Sequence, residues 1–324
     1  MSSSGLLLSR TDASHYTTNF VPTTLLAFIL IFIAGTLLRS CAVLTKKHAD
    51  FVARFVFSIS LPATILVSLD RVDLDASSWK LPAAAAFVVL PLLCVAWGIA
   101  RLLHLPRPSR GAFIVSSGIM NMAFFAYPVI LATFGSEGLA RALLFDVGHG
   151  VLVFTIVYAV AIGHGAQTLS PSSALLRFVS APPLWAVSFM VMMKLIGATL
   201  PVPIHQALTP IHWTTTPLAS LMLGLSLDVN TIRGRLIPAL TGTALRMGGG
   251  FLLGNLASDI LGLSHLERAI VMISAAMPAG LNAVIFSTEE RLDVDLAAAI
   301  VALSICVGIA LLPILPGVVV LLAR

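Results

Sequence analysis

The sequence predicts an all-α polytopic membrane protein with ten transmembrane helices, arranged as two inverted five-helix repeats with broken helices four and nine. Of its 324 residues, 58% are hydrophobic and only 10% are charged, whereas a soluble domain carries about 25% charged residues. Apolar runs close to the roughly 20 residues of a membrane span recur along the chain. The net charge of +5 is therefore expected to reflect basic cytoplasmic loops and does not indicate nucleic-acid binding.

The predicted spans follow a polar, Ser/Thr-rich tail, residues 1–20, which lacks the pattern of a cleavable signal peptide. They are expected at about 21–38, 50–69, 80–103, 111–134, 138–162, 174–195, 209–227, 236–261, 266–287 and 296–322. Charged turns bound several of them: a basic turn closes the third, and an acidic turn, residues 70–75, follows the second. The polar and Pro-rich stretch 163–173 is predicted to link the two halves, 21–162 and 174–324.

The distribution of basic residues predicts that both termini lie outside the cell. Loops after the odd-numbered spans of the first half carry most of the arginines and lysines, and in the second half the same bias is found in the loops between spans five and six and between seven and eight. The loop between spans nine and ten opposes this trend, since four acidic residues accompany Arg291. Acidic residues count for little in the positive-inside rule.

An odd number of spans per half requires homologous halves to be inverted relative to each other. The stretch 110–116 aligns with 268–274 at a shift of 158 residues, and the same shift pairs Asp146 with Ser304. At a shift of 155, Pro62 of span two pairs with Pro217 of span seven. Inverted repeats with discontinuous helices in equivalent positions indicate a transporter site.

Spans four and nine each contain an asparagine and a proline in an apolar setting, at 118–128 and 275–282. Proline removes a helical hydrogen bond, and unwound backbone at membrane depth is tolerated only inside protein or against a wet cavity. Asn121 and Asn282 either satisfy this backbone or reach a solute. Half-helix N-termini beside the breaks suit a carboxylate, so the pattern predicts an anion-compatible site without a buried cation.

Several other polar residues lie in the predicted spans. Asp146 and His149, three apart on one helix face, are candidates for proton coupling and substrate contact respectively, or for pairing within the bundle. An ionisable residue at this depth is a functional hypothesis by default. Arg246 is expected to snorkel or to lie at a helix interface. Three serines are weaker cavity candidates than packing residues, namely Ser58, Ser60 and Ser304; the run 248–250 predicts close helix packing.

The chain resembles the auxin efflux carrier family, which includes plant auxin exporters and bacterial permeases for malonate and malate. The resemblance rests on 55–62, the two break motifs 118–128 and 277–282, and the stretches 134–139, 144–146 and 223–227. It implies crossing helices four and nine, elevator-like alternating access and a homodimer. By position, Asn121 and Asn282 would line the site, and Pro128 and Pro278 would shape it. Met122 departs from the small residue usual there.

The leading hypothesis is a secondary transporter for a small organic anion, auxin-like or dicarboxylate, with no cofactor and no metal. The predicted partners are that anion, the lipid bilayer and a second copy of the chain. Alternatives are a sodium-coupled symporter of the bile-acid-carrier type and a solute-sensing receptor with a carrier fold; an enzyme has little support. Because few acidic or amide ligands flank the breaks, proton-coupled or uniport movement is favoured. The predicted substrate-binding residues are Asn121, Asn282, Pro128, Pro278, Tyr127, Met277 and His149, with Asp146 for proton coupling.

Overall fold

The computed structural model describes residues 23–70, 79–165, 180, 182–227, 235–314 and 317–319, and this part of the chain is built of helices without a named strand. The predicted all-helical class is confirmed. The predicted tail 1–20, residues 71–75 of the acidic turn, residues 166–173 of the linker and the last residues of span ten lie outside the described residues.

The helices are named here α1 to α10 in chain order, with a and b for the two parts of a broken helix. α2 and α8 each continue through a π-helical turn, Val56–Ser60 and Leu245–Gly249 respectively. The bounds of all the named helices are α1 Thr23–Ser40, α2 Lys46–Phe55 and Leu61–Asp70, α3 Lys80–Leu102, α4a Arg107–Gly118, α4b 122–134, α5 136–164, α6 Pro182–Leu195, α7 Val202–Ser226, α8 Leu236–Ala244 and Gly250–Leu261, α9a His265–Ala275, α9b Asn282–Glu289 and α10 Val294–Leu311.

Five helical stretches in the described residues are long and apolar enough to cross a membrane. They are Lys47–Asp70, Lys80–Leu102, Met122–His164, Leu236–Leu261 and Val294–Leu311. The apolar helices Leu26–Ser40 and Pro182–Leu195 are shorter. The third stretch contains both α4b and α5, which Gly135 separates with φ 65° and ψ −163°. Glycine populates positive φ without steric cost, so this residue forms the turn between spans four and five, which are predicted to end at 134 and to begin at 138.

Local sequence signals explain several helix ends. Ser264 and Glu267 form a capping box at the start of α9a, in which each side chain accepts from the other's backbone N–H. Gly262, at φ 57°, ends α8 in the left-handed conformation typical of helix C-caps. α7 begins at Val202, earlier than predicted, and contains Pro210 and Pro217 within it.

Two groups of helices account for most of the packing among the described residues. α1, α2, α6 and α7 pack mainly against one another, and α3, α4, α5, α8, α9 and α10 form the second group. Within the second group, α3 packs on α4a while α8 packs on α9a. The groups meet where α2 and α7 contact the start of α4b and the segment Tyr127–Leu152. Both breaks therefore belong to the second group, and the first of them lies at its boundary.

Candidate functional site

The two helix breaks lie against each other. Met120 and Ala279 form an isolated antiparallel bridge. The Asn121 N–H donates to the Pro278 carbonyl at 2.9 Å, and the Gly280 N–H donates to the Ile119 carbonyl at 3.0 Å. A side chain at position 280 would come within 2.8 Å of the Met120 carbonyl oxygen, so glycine permits this approach. Each break thus satisfies part of the backbone that the other leaves unpaired.

Two further helices supply acceptors for the remaining break amides. The Met120 N–H donates to Nε2 of His149 on α5 at 3.1 Å. The Ala279 N–H donates to Oγ of Ser304 on α10 at 3.0 Å. Ser304 is fully buried, so it caps a break and does not face a cavity. His149 and Ser304 play the same role at the two breaks.

The bond from Met120 determines the tautomer of His149. Because Nε2 accepts a hydrogen bond, the ring proton lies on Nδ1, which is 2.8 Å from Oδ1 of Asp146. The other oxygen of Asp146 accepts from the Tyr127 hydroxyl. A continuous chain of hydrogen bonds therefore runs from Tyr127 through Asp146 and His149 to the backbone of the first break.

A cavity of about 390 Å³ opens beside the breaks, between the two helix groups. Most of its walls are apolar, with aromatic rings from Phe57, Phe124 and Phe154. The structure brings five of the predicted site residues to this cavity, namely Asn121, Tyr127, Asp146, His149 and Asn282. The other three, Pro128, Pro278 and Met277, do not line it and are buried in the protein.

The two break asparagines differ in their surroundings. Asn121 is only 3% exposed, and its side-chain nitrogen has no hydrogen-bond partner among the described residues. A buried amide without a partner costs free energy comparable to a lost hydrogen bond. Asn282 is exposed and is the first residue of α9b. One donor is therefore buried in the wall, while the second amide is open to the cavity.

The only cavity candidates that the sequence predicted on α2 are Ser58 and Ser60, so Arg54 and Phe57 were missed. Arg54 lies at the start of predicted span two, where its charge adds to the basic bias of the preceding loop, and it lines the cavity together with Phe57 and Ser58. These residues are three and four positions apart and so share one helix face. That spacing, next to Pro62, was the available signal. Of the candidate serines, Ser58 lines the cavity, whereas Ser60 is buried against Thr214 and Thr215 of α7.

Of the two positions expected for Arg246, snorkelling is wrong and a helix interface is the one that the structure has. Its side chain is 0% exposed, and its guanidinium donates to two backbone carbonyls, of Ser117 and of Ala275. Snorkelling would require the charged head to reach the membrane surface, but these carbonyls lie at the breaks, inside the helix bundle.

A family model described as "Membrane transport protein" matches residues 20–316. The chain belongs to this membrane transport protein family. The resemblance to the auxin efflux carriers is thereby confirmed, and membership of a transporter family agrees with the expectation that the protein is not an enzyme. With its apolar helices, the chain is a multi-pass membrane protein of a transporter family.

Two relatives among the curated proteins are similar to this chain over nearly its full length. One is an uncharacterized transporter of Methanothermobacter thermautotrophicus, 28% identical over 304 residues, which cover 90% of this chain and 95% of the relative. The other is an uncharacterized transporter of Methanocaldococcus jannaschii, 26% identical over 286 residues, covering 84% and 90% respectively. Both similarities support the transporter class.

Proposed function

We propose that this member of the membrane transport protein family is a secondary carrier that binds a small organic anion in the cavity beside the two breaks. The unpartnered side-chain nitrogen of Asn121 carries the proposal, since Asn121 lines the cavity and a solute that reaches this buried donor would supply the acceptor that it lacks. A volume of about 390 Å³ lies at the lower end of the roughly 300–1,000 Å³ typical of small-molecule sites.

The electrostatics of the cavity favour a carboxylate. Arg54 is the cationic side chain among its lining residues, and it forms no ion pair within the described part of the chain. The N-termini of α4b and α9b adjoin the same space through Met122 and Asn282, and their free N–H groups carry partial positive charge. An anion at this point gains from all three features.

The remaining walls suggest what the rest of the substrate is like. Aromatic and aliphatic side chains dominate the lining, and the one carboxylate, Asp146, already accepts bonds from Tyr127 and His149. A second carboxylate on the substrate would meet apolar surface or the charge of Asp146, and either is unfavourable. We therefore favour a monocarboxylate with an apolar body over a dicarboxylate.

The proposed transport movement is an elevator-like displacement of one helix group against the other. The cavity lies between the groups, lined by α2 and α6 on one side and by α4, α5 and α9 on the other. Sliding of two packed units past each other is an established form of conformational change. The paired roles of His149 and Ser304, and the antiparallel bridge between the breaks, support the two inverted five-helix halves, 21–162 and 174–324, which remain part of the proposal.

We propose that the ends of α1 and α3 and the starts of α4a and α8 face the cytoplasm. Contacts between loops agree with spans that cross the membrane in alternating directions. At the proposed cytoplasmic surface, Arg107 donates to the Gly163 carbonyl, and Arg235 pairs with Asp293 at 3.1 Å. At the opposite surface Lys80 donates to the Gly262 carbonyl. The surface that carries Arg107 and Arg235 is richer in arginine. By the positive-inside rule this surface is cytoplasmic, and both termini are then outside.

Cysteine labelling in intact cells tests this orientation. With Cys94 and Cys306 replaced by serine, we expect the exposed Cys41 to react with a membrane-impermeant maleimide only after permeabilisation. In a protein that also lacks Cys41, Thr199→Cys should react without permeabilisation. The opposite pattern would reverse the topology. The homodimer implied by the family resemblance is tested separately by the mass of the purified protein in nanodiscs.

The transport experiment uses purified protein in proteoliposomes and a panel of radiolabelled mono- and dicarboxylates, with and without pH and sodium gradients. We expect uptake of an apolar monocarboxylate, strongly reduced by Asn121→Ala and by Asn282→Ala. Asn255→Ala is the matched control, since this amide bonds Arg268 away from the cavity lining. Wild-type uptake by both break variants would remove the site assignment. Uptake driven by sodium alone would favour the symporter alternative, and no uptake of any acid would contradict the carrier proposal.

A further inference from the structure

One charged side chain inside the second helix group is not used by the cavity. Arg246 lies in the π-helical turn Leu245–Gly249 of α8 and is the largest of the fully buried side chains. It forms no ion pair with any carboxylate of the described residues. Burial of a cation is costly unless hydrogen bonds compensate, so its two bonds to backbone carbonyls need an explanation.

The carbonyls that Arg246 binds are among those that lose their helical donors at the breaks. In a continuous helix the Ser117 carbonyl would accept from the N–H of residue 121, but the Asn121 N–H donates to Pro278. Likewise the Ala275 carbonyl would accept from residue 279, whose N–H donates to Ser304. Arg246 binds the first at 2.9 Å and the second at 2.5 Å.

Both acceptors lie at the C-terminal ends of half-helices, where the helix dipole places partial negative charge. α4a ends at Gly118 and α9a ends at Ala275. The two acceptors, Ser117 and Ala275, are 158 residues apart, which is the shift that relates the two halves in the sequence. The position 158 residues before Arg246 is the buried Val88. A single cation from the second half therefore serves an equivalent carbonyl in each half.

Gly250 allows α9a to approach this cation. A Cβ atom at position 250 would lie 1.9 Å from the Ala275 carbonyl oxygen and 2.4 Å from a guanidinium nitrogen of Arg246. Arg246 and Gly250 are four residues apart and so lie on one face of α8. The arginine supplies the donors, and the glycine leaves the space in which one acceptor reaches them.

We propose that Arg246 is a positioning residue that joins the C-terminal ends of α4a and α9a, so that the two breaks keep their geometry as one unit. The planar guanidinium is suited to this because its donors form a rigid fork that can reach two acceptors at once. Loss of the fork frees one carbonyl at each break and loosens both together. This inference concerns the backbone at the breaks and holds whether or not the cavity carries an anion.

The test is hydrogen–deuterium exchange of the full-length protein in lipid nanodiscs, followed by mass spectrometry of peptides that cover residues 116–123 and 276–282. For Arg246→Met we expect exchange in both peptides to be faster by about tenfold or more, the order expected for loss of hydrogen bonds from a charged group. α1, in the other helix group, is the internal reference and should be unchanged. Arg246→Lys keeps the charge but not the fork, and should give intermediate rates in both peptides.

Ser304→Ala is the matched control, because it removes an acceptor from the second break only. We expect this variant to accelerate exchange in 276–282 while 116–123 stays closer to the wild type. An effect of Arg246→Met on one break alone, or equal acceleration in α1, would overturn the proposal. If Arg246→Met does not yield folded protein, Arg246→Lys is compared with the wild type, and unchanged exchange in both breaks overturns it equally. The exchange rates do not depend on whether proteoliposomes transport any acid. Failure of the carrier proposal can therefore be distinguished from failure of this inference.

Discussion

The three consecutive glycines of α8, residues 248–250, should respond very differently to the same substitution. A Cβ on Gly248 meets nothing within 4 Å. On Gly249 it lies 3.1 Å from the side-chain ends of Leu92 and Leu245, which can move aside. On Gly250 it lies 1.9 Å from a backbone oxygen. The sequence predicts close packing for the whole run, whereas the structure assigns the requirement chiefly to its last member.

The cost at Gly250 follows from this distance. An ordinary contact begins near 3.4 Å, so α9a would have to retreat by about 1.5 Å, the difference between 3.4 Å and 1.9 Å. Such a shift breaks the bond between Arg246 and the Ala275 carbonyl. Overpacking costs about 1–3 kcal/mol and a hydrogen bond to a charged group about 1.5–3 kcal/mol. Together these two terms predict that Gly250→Ala destabilises the protein by about 2.5–6 kcal/mol.

Gly248→Ala should have the opposite sign. Its φ is not positive, and alanine in a helix is more stable than glycine by roughly 0.5–1 kcal/mol. The midpoints of thermal unfolding should be measured for the three alanine variants in one detergent. We expect the midpoint of Gly248→Ala to lie above that of the wild type, that of Gly250→Ala well below it, and that of Gly249→Ala between those of the other two variants. Equal midpoints for Gly248→Ala and Gly250→Ala would refute the close approach of α8 to α9a.

Three further predictions concern the cavity and the breaks. Arg54→Gln should raise the KM for a carboxylate by about tenfold, on the order of one lost charged hydrogen bond. The unfolding midpoint should change little, since Arg54 is exposed, and Arg54→Lys should keep much of the affinity. An unchanged KM for Arg54→Gln would show that Arg54 does not belong to the site. Asp146→Asn should abolish the pH dependence of uptake, because it removes the carboxylate that links Tyr127 to His149; unchanged dependence would make Asp146 structural. Gly280→Ala should lower the unfolding midpoint, because the added Cβ would lie 2.8 Å from the Met120 carbonyl oxygen. An unchanged midpoint would contradict this close approach of the two breaks.

Local patterns predicted the features that depend on neighbouring residues. The pairing of Asp146 with His149 follows from a spacing of three on one helix, and the structure has their side chains 2.8 Å apart. The predicted boundary between spans four and five, 134 to 138, contains Gly135, at which the structure has the turn. The sequence did not predict that the ring of His149 would accept the Met120 N–H, because this contact joins two helices whose separation is set by packing.

Arg54 and Arg246 likewise show that contacts between helices are not predicted by local sequence. Loop charge predicted no cavity role for Arg54, and hydropathy left snorkelling and a helix interface both open for Arg246. Arg54 in fact lines the cavity, and Arg246 is fully buried. Hydropathy measures the cost of a charge in lipid, but it contains no information on whether a distant carbonyl is available to offset that cost.

The sequence by itself determined the helical membrane class, the transporter family resemblance and the two sites where helices must break. Each depends on composition or on local chemistry, since apolar length and proline act on the residues around them. Tertiary structure alone decided which groups satisfy the broken backbone: His149, Ser304 and Arg246 come from three other helices. Hydrogen bonds require alignment within a few tenths of an ångström, and between helices that alignment arises only when the whole bundle is packed.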